Sequence, residues 1–151
     1  MVSLKDHPIE EMLFFVADEV DEGSAAAMRQ LVQRLAQSRA WTIDPPIFVD
    51  EVEDPEDPQD EPLRTVGGVL RLYSGRGHWA DKLPVDVDRK HLEEVRAVID
   101  ALRSFSAMTG HELELELNGV HLGTIADGSP DRLISEGFLL AWEQTLRSKA
   151  G

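Results

Sequence analysis

The apolar positions of the chain change their period several times, and each change predicts a new element. "MLFFVA", residues 12–17, is a continuous apolar run between acidic residues, which predicts a buried strand without a polar face. A helix is the alternative, because apolar residues around this run also recur at helical spacing. These residues are Ile9, Leu13, Val16 and Val20. We favour the strand.

The segment that follows has the period of a helix. Ser24 is a suitable N-cap, since its hydroxyl can accept a hydrogen bond from a free backbone N–H. The apolar residues behind it fall on one face, which predicts packing against a core. That face comprises Met28, Leu31, Val32 and Leu35. Pro45 and Pro46 exclude a continuation of this helix.

Two short strands are predicted next, over residues 46–52 and 64–74. The stretch 53–63 between them is acidic and rich in proline, and we expect it to form a long hairpin loop. The pair Gly67-Gly68 in the second strand indicates a bulge or a close approach of another segment.

A second helix has clear signals at both ends. Asp88 is a good N-cap, Val87 and Leu92 can form a hydrophobic staple, and Gly110 stands where a left-handed C-cap residue belongs. The apolar face between them comprises Leu92, Val95, Ile99, Leu102 and Phe105.

Strict alternation predicts a hairpin near the C-terminus. Three leucines alternate with glutamates in "ELELEL", residues 112–117, so that one face is buried and the other meets water. Asn118-Gly119 is the favoured pair for a type I′ turn. This turn places Leu115 opposite Leu122 on the core side and Glu116 opposite His121 on the outer side.

The last helix is predicted to begin at "SPDRL", with Ser129 as the cap and Pro130 in the first turn. Its apolar face comprises Leu133, Ile134, Phe138, Ala141, Trp142 and Leu146. The element order is therefore β-α-β-β-α-β-β-α. We expect a single α+β domain over residues 1–151, a mostly antiparallel sheet with its helices packed on one face.

Charge narrows the range of partners. The formal charge is −14, and residues 1–62 carry 16 acids against 4 Lys/Arg, so that most of the excess lies in this part of the chain. Such a field repels nucleic acids and anionic membranes and attracts basic proteins. The alternative is that the acidic residues only keep the protein soluble. The chain has no cysteine and no visible secretory signal, which favours a cytoplasmic protein.

Two groups of residues are candidates for partner binding. The first is acidic and the second is a loop with a hydrogen-bond donor, a titratable ring and a large aromatic side chain, which are typical of interaction hot spots. The groups are Asp50, Glu51, Glu53, Asp54, Glu56 and Asp57, and then Arg76, His78 and Trp79.

Other chemistry finds little support. "SGRGHWA" matches a dinucleotide fingerprint formally, but Pro84 argues against a helix opening behind it. No two histidines have the spacing of a zinc helix, and we expect His91 on the surface. The acidic stretch lacks the glycine of a calcium loop. We therefore expect no catalytic residues, no metal site and no cofactor.

The C-terminal segment "LELELNGVHLGTIADGSPDRLISEGFLLAWEQTL" resembles small bacterial immunity proteins encoded beside polymorphic toxins. The resemblance covers about the last 35 residues and implies a cytoplasmic protein that neutralises a toxin domain. Our leading hypothesis is thus an acidic protein-binding module of the immunity type with a basic protein partner. The alternatives are a small ligand-binding domain or enzyme with a pocket near residues 75–79, and an oligomeric structural protein such as a homodimer.

Overall fold

The computed structural model describes residues 4–150 as a six-stranded antiparallel sheet with helices packed on one face. The elements in chain order are β1 (Ile9–Val16), α1 (Glu22–Ser38), β2 (Ile47–Glu53), β3 (Leu63–Tyr73), a 3₁₀ turn (Gly77–Trp79), α2 (Val85–Thr109), β4 (Leu113–Leu117), β5 (Val120–Ala126), β6 (Ser129–Pro130), a π-helical segment (Leu133–Leu140) and α3 (Ala141–Ala150). The strand order across the sheet is β2-β3-β1-β4-β5-β6. The predicted α+β class and element order are confirmed, with β6, the 3₁₀ turn and the π-helical segment in addition.

The first apolar run is a strand, as favoured from the sequence, and β1 lies between β3 and β4. Met12, Phe14 and Val16 point into the core because successive side chains of a strand alternate between faces. The ring of Phe14 occupies the space that a Cβ at Gly68 would need. Close packing rather than a bulge therefore explains the glycine pair, and the register of β1 with β3 is continuous there.

The core faces of the first two helices are as predicted, but both N-termini differ. Asp21 caps α1, since its Oδ1 accepts a hydrogen bond from the backbone N–H of Ser24 at 2.7 Å. The prediction for α2 is wrong by a full turn, because the helix begins at Val85 behind Pro84. Asp88 is therefore an interior helical residue and no staple with Val87 forms. We expected Pro84 to prevent a helix at this point. It precedes one instead, because the proline ring fixes φ near the helical value.

The C-terminal hairpin has the predicted turn and a different register. Asn118 and Gly119 have φ of 48° and 82°, which is the positive pair that a type I′ turn requires. Glu116 lies opposite His121 as expected, but a bulge next to this pair places Leu115 opposite Gly123 instead of Leu122. At the end of α2, Gly110 has φ of 77° and is the predicted left-handed cap.

The last helix begins later than predicted. Ser129 and Pro130 pair with β5 as the short strand β6, so Ser129 is not the cap. Asp131 takes that role, because its Oδ1 accepts a hydrogen bond from the backbone N–H of Ile134 at 3.1 Å while Oδ2 binds the N–H of Thr124 at 3.0 Å. The predicted apolar face is partly wrong, since Leu133 is 57% exposed. Its buried members are Ile134 and Leu146, with Phe138 and Trp142 packed against the core.

Candidate functional site

The two predicted groups of binding residues lie toward opposite ends of β3. Glu53 pairs with Leu63, so the connecting loop is 54–62 rather than 53–63, and three of the acidic residues lie on strand β2 itself. The loop at residues 76–79 follows the other end of β3. Because β3 has eleven residues, its ends are separated by roughly 33 Å. A single surface does not contain both groups.

Asp50 differs from the other acidic candidates. Arg64 donates from Nε to Oδ1 of Asp50 at 3.0 Å and from Nη2 to Oδ2 at 2.9 Å. Its Nη1 also pairs with Glu22 at 2.7 Å. The hydrogen bonds from Arg64 hold the pKa of Asp50 below its ordinary value, and the same contacts raise the pKa of Arg64. The remaining five acidic residues are exposed: Glu51, Glu53, Asp54, Glu56 and Asp57.

The aromatic ring of Trp79 is packed rather than free. Its ring lies 4.8 Å from the ring of His7, and the ammonium of Lys82 lies 4.9 Å from the Trp79 centroid. His78 is exposed, with its ring tilted against Trp79. Arg76 reaches back to Glu10, where Nε donates to Oε1 at 3.1 Å and Nη2 lies 2.6 Å from Oε2.

A cavity of about 290 Å³ lies between the ends of β1 and β3, the C-terminal hairpin and the last helix. Its walls are mostly apolar, and three charged residues line it. These residues are Glu10, Arg76 and Asp88. Of the predicted loop residues, only Arg76 reaches this cavity. Glu10 was not among the residues predicted from the sequence. It precedes Met12 by two residues in β1, and residues two apart in a strand share a face, so the pattern places Glu10 on the core face.

Asp88 lines the same cavity and has several partners. Its side chain is buried, and its Oδ1 accepts a hydrogen bond from Nε1 of Trp142 at 2.6 Å. Nζ of Lys149 lies 2.9 Å from Oδ2 and also donates to the carbonyl of Leu83. A buried carboxylate with a cation and an N–H donor is fully satisfied, so Asp88 fixes the ring of Trp142 and the end of α3.

A second buried polar group lies beside the cavity. The prediction that His91 is a surface residue is wrong, because it is 0% exposed. Its Nε2 accepts the backbone N–H of Tyr73 at 3.1 Å, so the proton of the neutral ring is on Nδ1 and is donated to Glu94 at 3.0 Å. The backbone N–H of Thr42 donates to the other oxygen of Glu94 at 2.7 Å. Burial raises the pKa of Glu94, but the hydrogen bonds from His91 and Thr42 outweigh it and leave the pKa below its ordinary value.

The face of the sheet opposite the helices, here called the outer face, combines apolar and acidic side chains. Residues that lie opposite each other on neighbouring strands share a face, which gives two apolar rows across β2, β3 and β1. The rows are Ile47, Val69 and Leu13, and then Val49, Gly67 and Phe15. None of these side chains belongs to the core cluster on the helical side. Charged residues on the same face are Glu11, Glu51, Glu53, Arg71, Glu114 and Glu116.

Comparison with known proteins gives no match, neither to a family model nor to a curated protein nor to a solved structure. Within residues 4–150 no three His, Asp or Glu side chains are grouped so that they could hold a metal ion. In the same part of the chain no helix combines the length and apolar character needed to cross a membrane.

Proposed function

We propose that this protein is an acidic protein-binding module that docks a basic protein on its outer face. The observation that carries the proposal is the arrangement of two apolar rows bordered by glutamates on a sheet face that no helix of residues 4–150 covers. Five glutamates and one arginine occupy this face, a balance of −4. An apolar centre within a charged rim is the usual composition of a protein interface.

The negative charge of the glutamates around the apolar rows favours a basic partner. An acidic surface raises the rate at which a basic protein arrives and penalises an acidic one through like-charge repulsion. The exposed acids of the loop 54–62 extend this field beyond the edge strand β2. Prolines stiffen that loop, so its charges are presented at a lower entropic cost than in a flexible segment.

The immunity-type resemblance of the C-terminal segment gives the partner a class. Toxin domains that attack nucleic acids need a basic surface to hold phosphates, and an acidic inhibitor would complement that surface. The proposal therefore includes a cytoplasmic protein that neutralises such a domain, in keeping with a chain without cysteine.

Affinity capture from the native cell tests the proposal. The immobilised chain is compared with Ile47→Lys, which places a cation in an outer-face row at a residue that is 57% exposed. We expect the parent to retain a protein with a basic isoelectric point and the variant to lose it.

Met108→Lys is the matched control, because Met108 is 86% exposed on α2 and the change adds the same charge on the helical side. It should retain the partner. Capture of an acidic partner, or equal retention by both variants, would exclude the outer face as the docking surface.

A further inference from the structure

We infer that the cavity beside β1 binds a small amphipathic amine, with its ammonium on Glu10 and its apolar body against Phe138 and Trp142. This site is on the helical side of the sheet and is independent of the outer face. Three properties of the cavity support it: a buried carboxylate, an aromatic wall, and a cation that can leave.

Glu10 supplies the acceptor. Its side chain is only 6% exposed, and both of its oxygens contact the guanidinium of Arg76, Oε1 at 3.1 Å from Nε and Oε2 at 2.6 Å from Nη2. A buried carboxylate needs a cation or other donors, and charge-assisted hydrogen bonds are the strongest available. An ammonium offers three N–H donors that can turn freely toward the oxygen.

Arg76 is the group that an amine would replace. Its side chain is 54% exposed, so the guanidinium can move into water without becoming a buried unpaired charge. The carboxylate of Glu10 cannot do the same, because it lies inside the fold. Binding is therefore an exchange of one cation for another on the same carboxylate.

The walls of the cavity suit the rest of such a ligand. Aliphatic and aromatic side chains line it: Leu72, Tyr73, Leu117, Leu122, Phe138 and Trp142. Aromatic faces attract cations as well as apolar groups. Asp88 holds the indole of Trp142 in place, and a π-helical segment, a form that recurs at functional sites, presents Phe138. A volume of about 290 Å³ admits a ligand with one ring or a short chain.

Charge favours an amine over a carboxylate of similar size. Each of the two carboxylates that line the cavity is paired with a cation, Glu10 with Arg76 and Asp88 with Lys149, and the net charge of −14 raises the local concentration of cations and lowers that of anions. A carboxylate ligand would instead bind Arg76 in its present position, and the two cases respond oppositely to removal of this arginine.

Calorimetric titration of the full chain with 2-phenylethylamine tests the inference, with 2-phenylethanol and phenylacetate as matched probes. We expect the amine to bind at least about tenfold more tightly than either probe. Glu10→Gln should abolish this preference, and Arg76→Gln should tighten amine binding severalfold because it removes the competing cation. Glu11→Gln, the neighbouring outer-face change, should alter nothing.

Three results would overturn the inference: preferential binding of phenylacetate that Arg76→Gln abolishes, equal affinity for the alcohol and the amine, or no binding of any probe at millimolar concentration. Leu122→Trp is a second test in case Glu10→Gln does not fold. The larger side chain fills the cavity while Glu10 and Arg76 stay in place. It should also abolish amine binding, and unchanged binding would place the ligand elsewhere.

Discussion

The two sides of the sheet use acidic residues in opposite ways. On the helical side three buried carboxylates each have defined partners, namely Arg76 for Glu10, Lys149 with Trp142 for Asp88, and His91 with Thr42 for Glu94. On the outer face and in the loop 54–62 the acids are exposed or only partly buried. Acidic residues of the first kind stabilise and position the fold, whereas those of the second kind give the surface its negative field.

This difference shows why the net charge alone is a poor guide to function. A buried carboxylate costs free energy unless donors compensate it, so each one fixes the segments that supply its donors. An exposed carboxylate costs little and contributes little to stability. Substitutions should therefore have large effects on the helical side and small ones on the outer face.

Leu115→Asp is expected to have the largest effect. Leu115 is 0% exposed in the centre of the covered face, and a carboxylate there would have no partner. The cost of several kcal/mol approaches the whole stability of a small domain, so the variant should unfold or become insoluble. Circular dichroism and thermal melting measure this.

Glu114→Ala is the control for that variant, since it changes the neighbouring position on the outer face. It should melt within a few degrees of the parent. A folded Leu115→Asp protein with a similar melting temperature would show that the register of the hairpin is wrong.

Glu94→Ala comes next in size. The change leaves the buried Nδ1–H of His91 and the partly buried backbone N–H of Thr42 without their acceptor. Each unsatisfied donor costs about 1–3 kcal/mol, so we expect a total loss of roughly 2–6 kcal/mol in urea unfolding. Glu93→Ala, an exposed neighbour on α2, is the matched control and should lose less than about 0.5 kcal/mol.

The same carboxylate predicts a pH dependence. Its pKa is lower in the folded protein than its ordinary value of 4.5, so the unfolded chain binds the proton more readily. Its contribution to stability is therefore complete above pH 4.5 and is lost as the pH falls through the lower folded value. The difference in the free energy of unfolding between the parent and Glu94→Ala should therefore shrink as the pH is lowered from neutral to acidic. A constant difference down to strongly acid pH would contradict the depressed pKa.

The sequence predicted those parts of the fold that depend on local period. The alternation around Leu115 and the helical face from Leu92 to Phe105 are correct because one buried face imposes them on consecutive residues. Asp88 and His91 were assigned by residue type to a cap and to the surface, and both are buried. Their partners come from distant segments, 54 residues away for Trp142 and 18 for Tyr73, and no local pattern specifies such contacts.

Replacing residues 54–62 by Asn-Gly should have a small effect. Glu53 and Leu63 form the last pair of β2 and β3, and a two-residue turn can close this pair directly. The loop carries no buried side chain, and shortening it lowers the entropic cost of closure. We expect a change in the free energy of unfolding of less than about 1 kcal/mol. A loss of cooperative unfolding would instead give the loop a structural role.

Two matched sets of charge-removing substitutions should have the smallest effect on stability. They also test the comparison between the two sides of the sheet most directly. One set neutralises Glu11, Glu114 and Glu116 to Gln on the outer face. The other neutralises Asp54, Glu56 and Asp57 to the corresponding amides in the loop. Each removes three exposed or partly exposed charges and should change stability by no more than about 0.5 kcal/mol.

Binding kinetics with the captured partner should separate the two sets. Both should slow association at low salt, because both weaken the same steering field. Only the outer-face set should also speed dissociation, since its glutamates border the proposed docking surface. High salt should remove the slowing of association relative to the parent, because the Debye length falls from about 30 Å at 0.01 M to about 3 Å at 1 M. It should leave much of the increase in the dissociation rate. Faster dissociation with the loop set alone would move the docking surface from the outer face to the loop.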